Sequence, residues 1–469
     1  MSRFRKTAET SSLNLGLARS SVTSYERCGD YSRRELLKAS LAGALGVSFS
    51  GWFGGLAKAA SESPKKPKAC ILLWMAGGPS QMDTFDLKPG HKNGGSFKEI
   101  QTAVPGIKIS EHLPGVAKQM KDLAIIRSMT TTEGDHGRGT QLMLTGYRPG
   151  TGGVSYPVLG SSLSKELGSE ENDIPNYVSL SPFRFVELEG PGFLGPQYAP
   201  LVVSGNSSDP QARANLSVED LRPYGVDEAT LEKRFKIRDF LAKQFESKFG
   251  SASAKVHHAN YEKAIRMIQN QARNAFKLDE ESNELRDKYG RNRFGQGCLL
   301  ARRLVERGVA FVEVTLQDVP NAGAGWDTHG QNFDQVKALS ETLDPAWSTL
   351  MNDLRERGLL ESTMIVWMGE FGRTPVINMG NGRDHFPDAW SVVLGGAGIK
   401  GGQVIGKTAE DGAEVADRPV KVPELYATIC EGLGISSKHE NMTAEGRPIG
   451  IVDNSQPDVA HEPIRELVG

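Results

Sequence analysis

Neither sign of charge dominates this chain: 55 lysines and arginines stand against 57 aspartates and glutamates, a formal net charge of −2 over 469 residues. That balance gives no electrostatic case for nucleic acid as a partner. Cysteine is scarce, with only Cys28, Cys70, Cys298 and Cys430, and no pair has the spacing of a zinc module. Cys70 and Cys430 lie in apolar surroundings and Cys298 in a helical pattern, so buried free thiols are expected, with one disulfide as the alternative. Long apolar runs, internal repeats and low-complexity tracts are also missing. What remains is an ordinary composition, 38% hydrophobic and 24% charged, long enough for one large domain with insertions or for two domains.

The N-terminus reads as an address rather than as structure. Ser32-Arg33-Arg34-Glu35-Leu36-Leu37-Lys38 precedes the small-residue apolar stretch Leu41 to Phe53, and Ala57-Lys58-Ala59 offers a small-x-small cleavage site. Paired arginines before Leu-Leu-Lys match a twin-arginine export signal over residues 1–59. The apolar stretch is too short to span a bilayer, so no integral membrane segment is expected after cleavage, and the expected destination is the periplasm or cell envelope. Residues 60–68 form a Pro/Lys linker.

From residue 69 onward the pattern is that of a single α/β domain. Ala69 to Met75 is a continuous apolar run typical of a central parallel strand covered on both faces, and it ends in a Gly77-Gly78 turn. Further strands are expected at Leu123–Ile126, Tyr177–Leu180, Val309–Thr315, Thr363–Met368 and Ser391–Leu394. Residues 217–307 carry amphipathic helical spacing and read as a helical insertion beside the sheet. A helix is expected from Phe333 to Arg357, kinked or divided at Pro345, and another from Pro423 to Leu433. Alternating strands and helices at this spacing predict a mainly parallel sheet with helices on both faces.

Three peptides after residue 324 concentrate potential metal ligands: Gly325-Trp326-Asp327-Thr328-His329, Gly369-Glu370-Phe371-Gly372-Arg373 and Arg383-Asp384-His385. Asp327 with His329 and Asp384 with His385 are carboxylate–imidazole pairs, a donor set suited to zinc, with calcium, manganese or iron as other candidates. Glu370 directly follows an apolar strand, where a carboxylate is costly unless paired or coordinated. Arg373 could pair with it or grip an anionic ester oxygen. In the N-terminal half, Asp83 follows the first glycine turn and Asp135-His136 opens a helix whose dipole favours a nucleophile or an anion. Asp83 and His136 are therefore candidate further ligands, with His136 and Arg373 also candidate catalytic groups. Thr130, Thr131, Thr132 and Thr140 are weaker candidates for covalent attack, and Arg138 for charge stabilisation.

Gly77-Gly78-Pro79-Ser80 with Asp83-Thr84-Phe85-Asp86, Leu144-Thr145-Gly146-Tyr147-Arg148-Pro149 and the three peptides above strongly resemble the domain of unknown function 1501 family, over roughly Lys68 to Ile451. That family is similar to a branch of the alkaline phosphatase/sulfatase superfamily. The resemblance implies an alkaline-phosphatase-like sheet and hydrolysis of phosphate or sulfate esters at one or two divalent metals. The chain departs from the superfamily pattern in three places. His136 stands at or near the position where a sulfatase has the Cys or Ser that becomes formylglycine. Glu370-Phe371 replaces an Asp-His pair, and Gly77-Gly78 replaces an Asp-Asp. The expectation is an exported metal-dependent hydrolase of small or polymeric anionic esters. The alternative is a non-catalytic exported scaffold that binds carbohydrate or anionic polymer, or assembles with envelope proteins.

Overall fold

The structure is a computed structural model that describes residues 68–180, 190–203, 227–249, 271–317, 319–456 and 458–468. The twin-arginine segment and the linker up to residue 67 lie outside the described residues.

Eight strands form the main sheet: β1 (Ala69–Met75), β2 (Leu123–Met129), β3 (Tyr177–Leu180), β4 (Leu201–Val203), β5 (Phe311–Leu316), β6 (Thr363–Met368), β7 (Trp390–Gly396) and β8 (Gln403–Ile405). Their spatial order is β8-β2-β7-β6-β1-β5-β3-β4. β1 pairs in parallel with β5 and β6, and β7 alone runs antiparallel, against β6 and β2. The chain is thus α/β with a mainly parallel central sheet.

Helices cover both faces because the central strand is apolar on both. Ile71, Leu73 and Met75 of β1 join a core with α4 (Arg293–Glu306) and α5 (Asn332–Glu356). Cys70, Leu72 and Trp74 point the other way, into a core with α1 (His136–Thr145), α2 (Leu159–Leu167) and α6 (Val422–Gly432). Adjacent residues of one strand thus feed two cores, which is why the run reads as unbroken hydrophobicity. Cys70, Cys298 and Cys430 are buried free thiols.

Two expectations meet detail here. Pro345 lies inside α5, which continues unbroken as one 25-residue helix. The carbonyl that loses its partner belongs to Glu341, which is exposed, so water can satisfy it. Leu343, Ala346 and Trp347 on either side of the proline stay packed in the core. Of the block 217–307, the structure describes 227–249 and 271–307. Its last helix, α4, packs against β5 and α5 as a core element, whereas α3 (Glu228–Phe249) leaves Ile237, Phe240 and Leu241 exposed. Among the described residues no helix is long and apolar enough to cross a membrane.

Candidate metal centre

The loops that matter all leave one edge of the sheet. β1, β2, β5 and β6 end there, and the reversed direction of β7 brings the peptide preceding it to the same edge. This is where open α/β sheets place their sites. Gly77, at φ 108°, turns β1 so tightly that a Cβ would lie 2.3 Å from the backbone nitrogen of Asp327. Only glycine allows that approach. The peptide carrying Asp327 is tied to the same turn, since Trp326 N donates to Ala76 O at 2.9 Å. Asp135 caps α1 by accepting from Arg138 N at 3.0 Å, which sets His136 in the first turn. His385 is held by a short antiparallel pairing of His385–Phe386 with Gly372–Arg373.

Three imidazoles converge on one carboxylate oxygen. Asp327 Oδ1 lies 3.2 Å from His136 Nε2, 3.1 Å from His329 Nε2 and 3.3 Å from His385 Nε2. His329 Nε2 and His385 Nε2 are 3.0 Å apart. His136, Asp327 and His385 form a group able to hold a metal ion, and His329 Nε2, 3.1 Å from Asp327 Oδ1 and 3.0 Å from His385 Nε2, lies beside it where it could supply a fourth donor.

The other ring nitrogens fix the tautomers. His136 Nδ1 meets Glu370 Oε1 at 2.7 Å, His329 Nδ1 meets Asp384 Oδ1 at 2.8 Å, and His385 Nδ1 meets Gly134 O at 2.8 Å. Each partner can only accept, so each Nδ1 carries the hydrogen, and each ring presents a lone pair at Nε2 once it is neutral. On His136 a metal would displace the proton that Asp327 and Glu370 favour. Three neutral rings would set three lone pairs around a carboxylate oxygen, an arrangement that calls for a proton or a cation among them. His136 Nε2 is buried and makes no hydrogen bond despite its proximity to Asp327, an orphaned donor atom facing the cluster. The donor set fits a divalent metal.

Glu370 is fully buried and also accepts Gly77 N–H, at 3.0 and 3.2 Å to its two oxygens. It therefore orients His136 and stands beside the four-donor cluster. Arg373 is fully buried as well. Its Nη2 donates to Asp327 Oδ1 at 2.6 Å and to Gly77 O, its Nε to Gly78 O at 3.0 Å, and its Nη1 to Arg383 O at 3.2 Å. Gln81 clasps the Arg373 peptide from both sides. Asp384 orients His329 from the solvent side.

Asp83 lies outside the cluster. Its carboxylate is fully buried and saturated by Arg383 Nε at 2.7 Å, Arg383 Nη2 at 3.2 Å, Asn332 Nδ2 at 2.9 Å and Ser80 Oγ at 2.6 Å. Arg383, Asn332 and Gln81 were not singled out in the sequence, where a buried arginine and a surface one look alike. Thr131 and Thr140 are buried and Thr132 is exposed.

Charge follows geometry. Burial works against a charged His136, but contacts with Asp327 and Glu370 raise it to about 9. Burial likewise opposes charge on Asp327, and His136, His385 and Arg373 hold it well below the usual carboxylate range. The bond from His329 lowers Asp384. With His136 deprotonated, as metal binding requires, Asp327, Glu370 and Asp384 against Arg373 leave two negative charges, which one divalent cation would neutralise. The cluster opens to solvent on one side: the His329 side chain is 47% exposed and that of His136 only 11%.

A family model described as a protein of unknown function (DUF1501) matches residues 67–464. Nothing among curated proteins matches the chain. Among solved structures, the chain is similar to a protein in the alkaline phosphatase superfamily from Vibrio parahaemolyticus, at 12% identity and TM-score 0.39, over 79% of this chain and 67% of that one. It is also similar to the PsFucS1 sulfatase from Pseudoalteromonas sp., at 12% identity and TM-score 0.38, over 86% and 72%. The lipoteichoic acid synthase LtaP from Listeria monocytogenes matches at 10% identity and TM-score 0.33, over 80% and 73%. By the extent of the family match, this chain belongs to the DUF1501 family of proteins of unknown function.

Proposed function

We propose that this chain is a metal-dependent hydrolase of phosphate, sulfate or related anionic esters. His136, Asp327, His329 and His385 would hold a divalent cation, with zinc favoured by three imidazoles and a carboxylate. The observation that carries this reading is the gathering of three Nε2 atoms around Asp327 Oδ1, each ring fixed by an oxygen acceptor behind it. When bound, such a cation supplies Lewis-acid polarisation of an ester oxygen and activation of water.

The chain's own groups do the positioning. Glu370 and Gly77 fix the ring of His136, Arg373 draws the Asp327 carboxylate into place, and His329 with His385 lines the exposed approach. Among the described residues no thiol is available as a nucleophile, since burial raises Cys70, Cys298 and Cys430 far above the ordinary range, Cys430 to about 12. Water is therefore the favoured attacking group, in keeping with the family resemblance, which sets His136 at or near the position of the sulfatase nucleophile.

One observation favours the non-catalytic reading. Arg373, the candidate for gripping a transferred anionic group, has its donors engaged by Gly77, Gly78, Arg383 and Asp327. Elemental analysis of the natively produced protein, with a panel of aryl phosphate and sulfate esters, separates the readings. Stoichiometric metal with turnover lost in His385→Ala supports the hydrolase. Stoichiometric metal with no turnover on any ester supports the scaffold. Absence of bound metal at saturating zinc rejects the metal centre and the hydrolase with it, and leaves the scaffold.

Export by the twin-arginine route is part of the same proposal and rests on Arg33-Arg34 and the stretch after them. Replacement of both arginines by lysine should leave the precursor uncleaved and inside the cell.

A further inference from the structure

We propose that Asn378 is a positioning residue of the metal centre, acting through Asp384 to hold the ring of His329. This rests on His329 belonging to the ligand set.

His329 is the most exposed of the three imidazoles, at 47%, and the carboxylate behind it is more exposed still, at 56% for Asp384. A hydrogen bond between two solvated side chains is weak by itself, because water competes for both ends. Asn378 supplies what that pair lacks. Its Nδ2 donates to Asp384 Oδ1 at 3.2 Å and to the backbone oxygen of His329 at 3.0 Å, so one amide grips the carboxylate and the peptide it must orient. Its Oδ1 accepts Gly380 N and Gly382 N, each at 2.9 Å, which stops the amide from rotating. Swapping the amide's O and N would put donors against donors at the glycines and an oxygen against Asp384, so the network assigns its orientation.

The loop carrying Asn378 is itself fixed to the ligand peptide. Gln331 N donates to Gly380 O, Asn332 N to Asn381 O and Arg383 N to Thr328 O, at 2.9 to 3.0 Å. At its base, Thr374 Oγ1 accepts Asp384 N at 2.9 Å. The turn therefore has backbone support besides the bonds to Asn378 Oδ1, and Asn378 Nδ2 serves the pair His329–Asp384. His136 and His385 need no such device, since their partners are a buried carboxylate and a backbone carbonyl.

Cobalt(II) is the probe, read by its visible spectrum and by titration calorimetry on the full chain. Asn378→Ser keeps a hydroxyl for the glycine amides of the turn but cannot reach Asp384. It should bind cobalt about 10-fold or more weakly, the usual cost of losing a residue that orients a ligand, with a weaker, shifted visible band. Asp384→Ala should show the same spectral change. The double variant should bind no more than about twofold below Asp384→Ala alone, because both act on one ring. Losses that add fully, or an Asn378→Ser spectrum identical to the parent, overturn the proposal. Parent protein that takes up no cobalt removes the centre itself, an outcome distinct from both. Unchanged near-ultraviolet circular dichroism in Asn378→Ser excludes misfolding as the cause.

Discussion

Glu370 shows how one buried carboxylate links strand, turn and ligand. Removing it in Glu370→Ala would strand Gly77 N–H and His136 Nδ1 in a dry site, at about 1–3 kcal/mol for each unpaired group. Glu370→Gln keeps an acceptor for one of them, so it should fold with near-parent stability yet bind zinc about 10- to 100-fold more weakly. Calorimetric titration with thermal unfolding checks both outcomes. His136 carries the pH dependence. Its proton affinity, raised to about 9 despite burial by contacts with Asp327 and Glu370, sets the proton against the metal for Nε2. Zinc affinity should therefore fall about tenfold for each pH unit below about 9 from this group alone. In metal-free protein the sign reverses: a raised histidine stabilises the fold below its unfolded value of about 6.5, and that stability is lost as pH rises through about 9. Titrations in buffers of different ionisation enthalpy would show the proton released. Asp327, His329 and Glu370 could be picked from the sequence because they follow strands near glycines, and Asp384 with His385 because they form a carboxylate–imidazole pair just before a strand. Which of them orient and which ligate was not legible, since that depends on distances across more than two hundred residues of chain. Asp83 shows the limit best. As a carboxylate beside a glycine turn it looks like a ligand, and only the fold reveals Arg383 against it.

At the level of elements, the ion-paired end of α4 is sensitive to acid. Arg302 and Arg303 are buried and meet Glu281 at 2.8 and 2.5 Å, while Arg302 also reaches Asp353 at 2.8 Å. Burial opposes charge on Glu281, but Arg303 and Arg302 hold its carboxyl below the ordinary value. A depressed carboxylate stabilises the fold above its unfolded value of about 4.3 and loses that contribution as pH falls through the folded value. Glu281→Gln should thus lower the melting temperature at pH 7, and the gap from the parent should begin to narrow near the unfolded value and close only as pH falls below the depressed folded value. The elements themselves were legible where packing and pattern agree. β1, β2, β6 and β7 bury both faces, so their apolar runs announced them. Pro345 was legible as a breaker, but its outcome turned on an exposed Glu341 and a buried Trp347, which local sequence does not show. The helical spacing through Ile237, Phe240 and Leu241 marked α3 as a helix without saying what faces it, and those side chains are exposed. The direction of β7 was also hidden, because an apolar strand reads the same either way.

Across the whole molecule, that direction decides the site. A fully parallel sheet would carry the peptide before β7 to the opposite edge, and His385 with it. Reversing one strand brings His385 beside Asp327, and a cation there would join residues 136, 327, 329 and 385, which come from three separate connections of the sheet. The unfolded chain offers no such grouping, so binding energy at these donors becomes folding energy. Zinc at about 100 times its dissociation constant should stabilise the native chain by about 2.7 kcal/mol through mass action. The expected result is a melting temperature that rises with zinc and falls with chelator in the parent, and that responds to neither in His385→Ala. A His385→Ala variant that kept the full zinc-dependent rise would place the cation elsewhere on the chain. Asp83→Asn provides the contrast at the same edge. It leaves Arg383 buried against a neutral partner, so stability should drop by about 3–5 kcal/mol. The zinc-dependent rise should persist in whatever protein folds, because Asp83 braces the loops without touching the four donors.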